Sequence, residues 1–147
     1  MKIIKNKVFL GGTCPQDKID FDYRKLLIPY LENKNIDYFN PVVEDWTPED
    51  RENEERQKDI CNIHLYFISP NMRGVYSIAE MFGSLIKYKN KKVVFAVTST
   101  IGKYTFSEGQ GKSLKATAKL FKECGGTSVF DVTFPEDYAS LANLLGN

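Results

Sequence analysis

The chain has 147 residues, with 20 basic and 19 acidic side chains and a formal net charge of +1. This size predicts one domain over residues 1–147, and the balanced charge argues against a nucleic acid polymer or a membrane surface as partner. The apolar runs are too short for a transmembrane helix, and no signal-peptide pattern follows the basic start at 1–5, so we expect a cytoplasmic protein. The three cysteines are far apart, which argues against a disulfide framework or a metal site.

Strands and helices are predicted to alternate along the chain. Short runs of aromatic and β-branched residues predict strands at 7–10, 36–39, 64–68, 93–97 and 127–130. Helical spacing of apolar residues, or a run of charged residues, predicts helices at 20–31, 48–62, about 78–86, 113–124 and 135–145. Pro29 is expected to kink or shorten the first helix, and residues 98–112 are expected to form a long loop.

This alternation predicts the α/β fold class, with a single doubly wound parallel sheet of five strands, flavodoxin- or Rossmann-like, in the order 2-1-3-4-5. Ligands of such sheets bind beyond the carboxyl ends of the strands, where the strand order reverses. Here that point lies between the first and third strands. The segments 11–14, 40–46 and 69–80 are therefore expected to line a site.

Two of these segments have a functional and a structural interpretation. Gly11, Gly12 and Thr13 follow the first strand, where backbone N–H groups can approach a sugar or phosphate, or where a turn needs positive φ. No third glycine completes a dinucleotide fingerprint. Asp45 and Trp46 can bind the edge and the face of a nucleobase, or the indole can cover the edge of the core. The sequence leaves these alternatives open.

Other polar residues are also assigned either to a candidate site or to a structural role. Glu55 and Arg56 are best interpreted as a solvated ion-pair face of their helix, whereas Asp59, nearest the third strand, is the better site candidate. His64, the only histidine, lies within a strand and is more typical of a packed core residue than of a catalytic one.

Glu80 is the candidate reactive group. Its spacing from Ser77 fits a capping box, and from spacing alone that structural explanation is preferred. Tyr76 and Ser77 beside it favour a functional role. A carboxylate there suits attack on the anomeric carbon of a nucleoside, and a second acid, Asp59 or Asp45, is needed to protonate the departing base.

Three stretches resemble the nucleoside 2-deoxyribosyltransferase-like family, in particular a small phage and bacterial branch. They are V-F-L-G-G-T-C at 8–14, Y-F-N-P-V-V-E-D-W at 38–46 and L-Y-F-I-S-P-N-M-R-G-V-Y-S-I-A-E at 65–80. The resemblance implies a flavodoxin-like fold, no metal or organic cofactor, and homo-oligomers whose sites border a neighbouring subunit. It also implies that Glu80 is the nucleophile and that Asp59 is the nearest match to a site aspartate.

The chain departs from the family pattern at two positions. Phe9 stands where the transferases have a tyrosine near the nucleophile, a role that Tyr76 is expected to take, and Gly74 stands where they have an aspartate. In related nucleotide hydrolases, serines bind the phosphate; Ser69 and Ser77, with Arg73 adding charge, are the candidates here.

The resulting hypothesis is an enzyme that cleaves or transfers at the N-glycosidic bond of a nucleoside or nucleoside monophosphate through a covalent glycosyl-enzyme. The alternative is a non-catalytic protein that binds a nucleotide derivative on the same fold. A third possibility is an interaction module in which Glu80 only caps its helix. The base, the sugar, the need for a 5′-phosphate and the choice between transfer and hydrolysis are left open.

Overall fold

The computed structural model describes residues 5–147, so four of the five residues of the basic start lie outside the described part. The strands are β1 (Lys7–Gly12), β2 (Asp37–Phe39), β3 (Ile63–Ile68), β4 (Lys92–Val97), β5 (Thr100–Ile101), β6 (Tyr104–Thr105) and β7 (Thr127–Phe130). The helices are α1 (Tyr23–Asn33), α2 (Pro48–Ile60), α3 (Tyr76–Lys87), α4 (Glu108–Glu123) and α5 (Pro135–Gly146).

The main sheet has five strands, all parallel, in the order β2-β1-β3-β4-β7. Because β7 is the fifth of the predicted strands, the predicted fold class and the order 2-1-3-4-5 are confirmed. The pairing of β1 with β3 sets Val8 opposite Ile63 and Gly12 opposite Phe67. The strand order therefore reverses between β1 and β3.

Helices cover both faces of the sheet, and β3 shows how its sequence serves both. Leu65 and Phe67 face a cluster with residues of α1 and α5, whereas Tyr66 and Ile68 face a second cluster with residues of α3 and α4. Every residue of β3 is buried. A strand buried on both faces explains why its sequence, apart from His64, is apolar rather than alternating.

The loop predicted at 98–112 contains regular structure. Strands β5 and β6 form an antiparallel hairpin, and α4 begins at Glu108, earlier than predicted. Ser107 accepts a hydrogen bond from the backbone of Gln110, whose side chain bonds back to the N–H of Ser107. This capping box starts the helix before its apolar periodicity becomes visible.

Two local expectations have clear outcomes. His64 is fully buried, as predicted, and its ring bonds to Ser84 Oγ (3.2 Å) and to the carbonyl of Lys58 (2.8 Å). Helix α1 continues past Pro29 to Asn33, so the proline does not end it early.

In the described part of the chain, 5–147, no helix combines the length and apolar character that crossing a membrane requires.

Candidate functional site

The carboxyl ends of β1 and β3 are tied together where the strand order reverses. Gly12 has φ +106°, and a Cβ on it would lie 2.1 Å from the carbonyl oxygen of Phe67. The N–H of Thr13 donates to that same oxygen (2.8 Å), and the Thr13 hydroxyl accepts from the N–H of Ser69 (3.1 Å). The glycine turn is therefore built by positive φ and close strand approach, and the Thr13 N–H is not free to bind a ligand.

Two clefts open at this edge, and Glu80 borders both, as well as a smaller cleft of about 120 Å³ that extends along α3 to Tyr88. The first, which we call the β1–α3 cleft, has a volume of about 180 Å³. Its walls come from the end of β1, from the loop before α3 and from the first turns of α3; the residues predicted from sequence that line it are Gly12, Thr13, Arg73, Gly74, Tyr76, Ser77 and Glu80.

The second cleft, the α2–α3 cleft, has a volume of about 310 Å³. Helix α2 contributes Glu54, Glu55 and Lys58, and the loop before α2 contributes Trp46. Tyr76 and Glu80 are shared with the β1–α3 cleft. A ligand that reaches both clefts would therefore pass the carboxylate of Glu80.

Glu80 does not cap its helix, so the capping-box prediction is wrong. The N-cap of α3 is Val75, and no side chain among residues 5–147 caps the helix with a hydrogen bond. Since the helix begins at Tyr76, Ser77 already lies within the first turn and Glu80 lies beyond the position from which it would bond back. The Glu80 carboxylate instead turns toward α2.

The partner of Glu80 is Lys58. Lys58 Nζ lies 2.8 Å from Glu80 Oε2 and 3.6 Å from Glu55 Oε1. Burial by itself lowers the pKa of Lys58, but the hydrogen bond to Glu80 and the carboxylates of Glu80 and Glu55 together raise it above its ordinary value. Lys58 is therefore a permanent cation beside the carboxylate.

For Glu54, in contrast to Lys58, the surroundings favour the uncharged form. Its pKa is raised, chiefly by burial; the charge of Lys58 lowers it, and the charges of Glu80 and two other acids add to the increase. Glu54 and Glu80 both line the α2–α3 cleft, and two carboxyl groups in different environments are the arrangement in which one acts as acid and the other as base or nucleophile.

The clefts do not include four of the predicted site residues. Gly11 packs against the ring of Tyr66, and Ser69 is buried with its hydroxyl donating to Asn71 Oδ1 (2.5 Å). Asp45 lies in an exposed loop that borders neither cleft. Asp59 is exposed, and its carbonyl accepts from Lys91 Nζ.

Tyr76 and Trp46 both lie at the α2–α3 cleft but remain open to solvent, 72% and 57% exposed. Among the described residues Tyr76 makes no hydrogen bond to Glu80. The hydrogen bond to the Glu80 carboxylate that was expected from Tyr76 comes from Lys58 instead. Trp46 does not cover the core, which leaves its indole face available to a ligand.

Sequence reasoning missed Lys58 and Glu54. Both lie on a helix whose charged residues look like a solvated face, and Lys58 follows Glu54 and Glu55 at four- and three-residue spacing, typical of surface ion pairs. The only signal in the sequence was the proximity of α2 to β3 along the chain. It drew attention to Asp59, one position away.

Comparisons with known proteins agree with the family resemblance and with the fold. Residues 5–100 match a family model described as "Nucleoside 2-deoxyribosyltransferase like". No curated protein matches the chain significantly. A crystal structure of a conserved protein from Enterococcus faecalis V583 is similar, with TM-score 0.59 and 14% identity over 96% of this chain and 99% of that chain. At that identity the likeness shows the fold alone.

Proposed function

Because the chain belongs to the nucleoside 2-deoxyribosyltransferase-like family, we propose that it cleaves or transfers at the N-glycosidic bond of a nucleoside or nucleoside monophosphate. Glu80 is the nucleophile in this proposal. The observation that carries it is the position of Glu80 between two clefts at the reversal of strand order. That is where ligands bind in this class of sheet.

The two oxygens of Glu80 differ in a way that suits a nucleophile. Oε2 accepts from Lys58, whereas Oε1 carries no hydrogen bond from the described residues. The side chain is 21% exposed, so a substrate can reach it. Oε1 attacks the anomeric carbon as the bond to the base breaks, and a glycosyl ester of Glu80 forms.

Glu54 replaces Asp59 and Asp45 as the proposed general acid. It lines the α2–α3 cleft with Glu80, and its raised pKa keeps it protonated to higher pH than an ordinary glutamate. It donates its proton to the departing base. Water then releases the sugar, or the nitrogen of a second base takes it, and Glu54 accepts the proton that this nucleophile loses.

The two clefts suggest where the sugar and the base of the substrate bind. The sugar lies in the β1–α3 cleft beside Thr13 and Ser77, with Arg73 near any 5′-phosphate. The base lies in the larger α2–α3 cleft, where Trp46 and Tyr76 offer aromatic faces.

The test is a base-release assay. Purified protein is incubated with ribo- and deoxyribonucleosides and their monophosphates, with and without a second free base. We expect release or exchange by the wild type and a loss of at least about a thousandfold in Glu80→Gln, since that variant has no charged nucleophile. Glu52→Gln removes an exposed carboxylate of α2 outside both clefts and is the matched control. Undiminished turnover by Glu80→Gln would reject the proposal.

One observation favours the alternative of a nucleotide-derivative binding protein. The ion pair with Lys58 neutralises the charge of Glu80, which a protein that only binds its ligand can tolerate. This alternative predicts that a nucleotide raises the melting temperature of the wild type although no base is released during long incubation.

A further inference from the structure

The cation beside Glu80 is fixed in place. Lys58 is only 8% exposed although it lies on a charged helix. Its Nζ contacts Glu80 Oε2 (2.8 Å) and Glu55 Oε1 (3.6 Å), and it lies 5.5 Å from the centre of the Phe9 ring. Two carboxylates and one aromatic face therefore surround the ammonium group.

The backbone of Lys58 is also held. Its carbonyl accepts from the ring of His64 (2.8 Å) and from Lys91 Nζ (2.6 Å). His64 belongs to β3, in the middle of the sheet. The backbone of Lys58 is thus bonded to the sheet and its ammonium group to the Glu80 carboxylate, unlike a mobile surface lysine.

We propose that Lys58 is a positioning residue that favours the second half of the reaction, the resolution of the glycosyl ester of Glu80. The proposal rests on the proposed function. When Oε1 bonds to the anomeric carbon, Glu80 loses its negative charge and Lys58 loses its closest anionic contact, keeping the more distant Glu55 and the Glu54 carboxylate, which has given its proton to the base. When the ester breaks, the charge of Glu80 and its contact with Lys58 return.

The bonds of the two steps balance. In the first, the Oε1–C1′ bond forms, the C1′–N bond breaks and the base receives a proton from Glu54. In the second, water or the nitrogen of another base bonds to C1′, the Oε1–C1′ electron pair returns to Glu80, and the proton of the nucleophile goes to Glu54. The cation stabilises Glu80 before the first step and after the second, so it slows ester formation and speeds ester breakdown.

Lys58 does not donate a proton in this scheme. The hydrogen bond to Glu80 and the neighbouring carboxylates raise its pKa, so Lys58 enters the reaction as an ammonium group, which suits a fixed cation and not a general acid. Its effect is therefore on the partition between free and glycosylated enzyme.

The experiment measures this partition in Lys58→Met with a substrate that the wild type turns over. The pre-steady-state burst of free base gives the rate of ester formation, the steady state gives its resolution, and the mass of acid-quenched protein gives the glycosylated fraction. We expect the ratio of resolution to formation to fall about tenfold and the glycosylated fraction to rise, because a hydrogen bond to a charged group is lost. Lys58→Arg keeps the cation and should restore most of the ratio.

Two further variants complete the test. Arg56→Met removes a cation from the exposed side of the same helix and should leave the ratio unchanged; within the described residues the Arg56 side chain bonds to Asn53 alone. Glu55→Gln removes an anion that competes with Glu80 for Lys58 and should raise the ratio, by no more than about fivefold for an exposed pair. Because Glu55 is half exposed, this variant tests the proposal even if Lys58→Met fails to fold.

The possible failures differ. If the wild type releases no base, the proposed function and this inference fall together. If the wild type is active but a folded Lys58→Met has the wild-type ratio, or Glu55→Gln lowers the ratio, only the inference is overturned.

Discussion

Gly12 is the residue at which β1 leaves the sheet, and two independent constraints require a glycine there. Its φ of +106° lies in a region that other L-residues rarely adopt. Its α-carbon is also so close to β3 that a Cβ would overlap the backbone of Phe67. Gly12 thereby fixes the wall of the β1–α3 cleft.

Gly12→Ala should lower the free energy of unfolding by at least about 2 kcal/mol, because positive φ and overlap with Phe67 both add strain. Urea unfolding measures the change. Gly74→Ala is the control: a Cβ there meets no heavy atom within 4 Å, so stability should stay within about 0.5 kcal/mol. Equal effects of the two substitutions would contradict this account.

The individual residues of the candidate site differ in how far the sequence alone could identify them. The position of Glu80 at the clefts was predictable because it follows a strand end at the reversal of strand order, where a carboxylate among apolar residues stands out. Lys58 and Glu54 were not, since their neighbours on α2 are also charged and nothing local distinguishes the side chains that turn inward. Which of them meets Glu80 depends on the packing of α2, a tertiary contact that spans 22 residues of chain from Lys58 to Glu80.

Helix α2 carries both the proposed acid and the cation, so its position matters beyond its own stability. It is strongly polar and buries only Lys58. Its start is secured by a capping box in which the Thr47 hydroxyl accepts from the Asp50 N–H (3.3 Å) and Asp50 Oδ2 accepts from the Thr47 N–H (2.8 Å). With so little apolar anchoring, these end contacts carry an unusual share of the helix's stability.

Thr47→Ala should reduce the free energy of unfolding by about 1 kcal/mol and also reduce base release, because the start of α2 frays. Ser107→Ala removes the equivalent cap of α4, which borders neither cleft, and should match the stability loss without the loss of activity. Unfolding curves and base release measured on both variants separate the two effects. Parallel losses of activity would show that α2 has no special role.

At the level of elements, the strands of the main sheet were predicted closely because buried runs such as 64–68 and 93–97 are distinct from their surroundings. The β5–β6 hairpin escaped prediction since its strands have only two residues each, too few for a periodic pattern. The end of α1 also differs from the prediction: the helix continues past Pro29, which lies on its exposed side, to Asn33.

The whole molecule contains one histidine, and the fold buries it. Burial lowers the pKa of His64 from 6.5 to about 4, although its hydrogen bond to the carbonyl of Lys58 opposes the change. Between these two values the unfolded chain binds a proton that the folded protein does not. The contribution of His64 to stability is therefore complete above pH 6.5 and is lost as the pH falls toward 4.

The free energy of unfolding should fall by up to about 3 kcal/mol through His64 as the pH is lowered from 6.5 to 4. Urea unfolding at several pH values measures the slope. His64→Gln does not titrate but can still form hydrogen bonds, so its slope over this range should be shallower than that of the wild type. Identical slopes would mean that other groups are responsible.

The parallel pairing of β1 with β3 has a consequence for the newly made chain. Lys7 bonds to Asn62, 55 residues later, and Val8 pairs with Ile63. At about 5–20 residues per second, synthesis needs roughly 3–11 s to supply that partner after β1 is made. During this interval the apolar strand β1 has no β3, the central strand of the sheet, to pair with. Chaperone binding to the emerging chain should therefore be concentrated between the synthesis of β1 and that of β3.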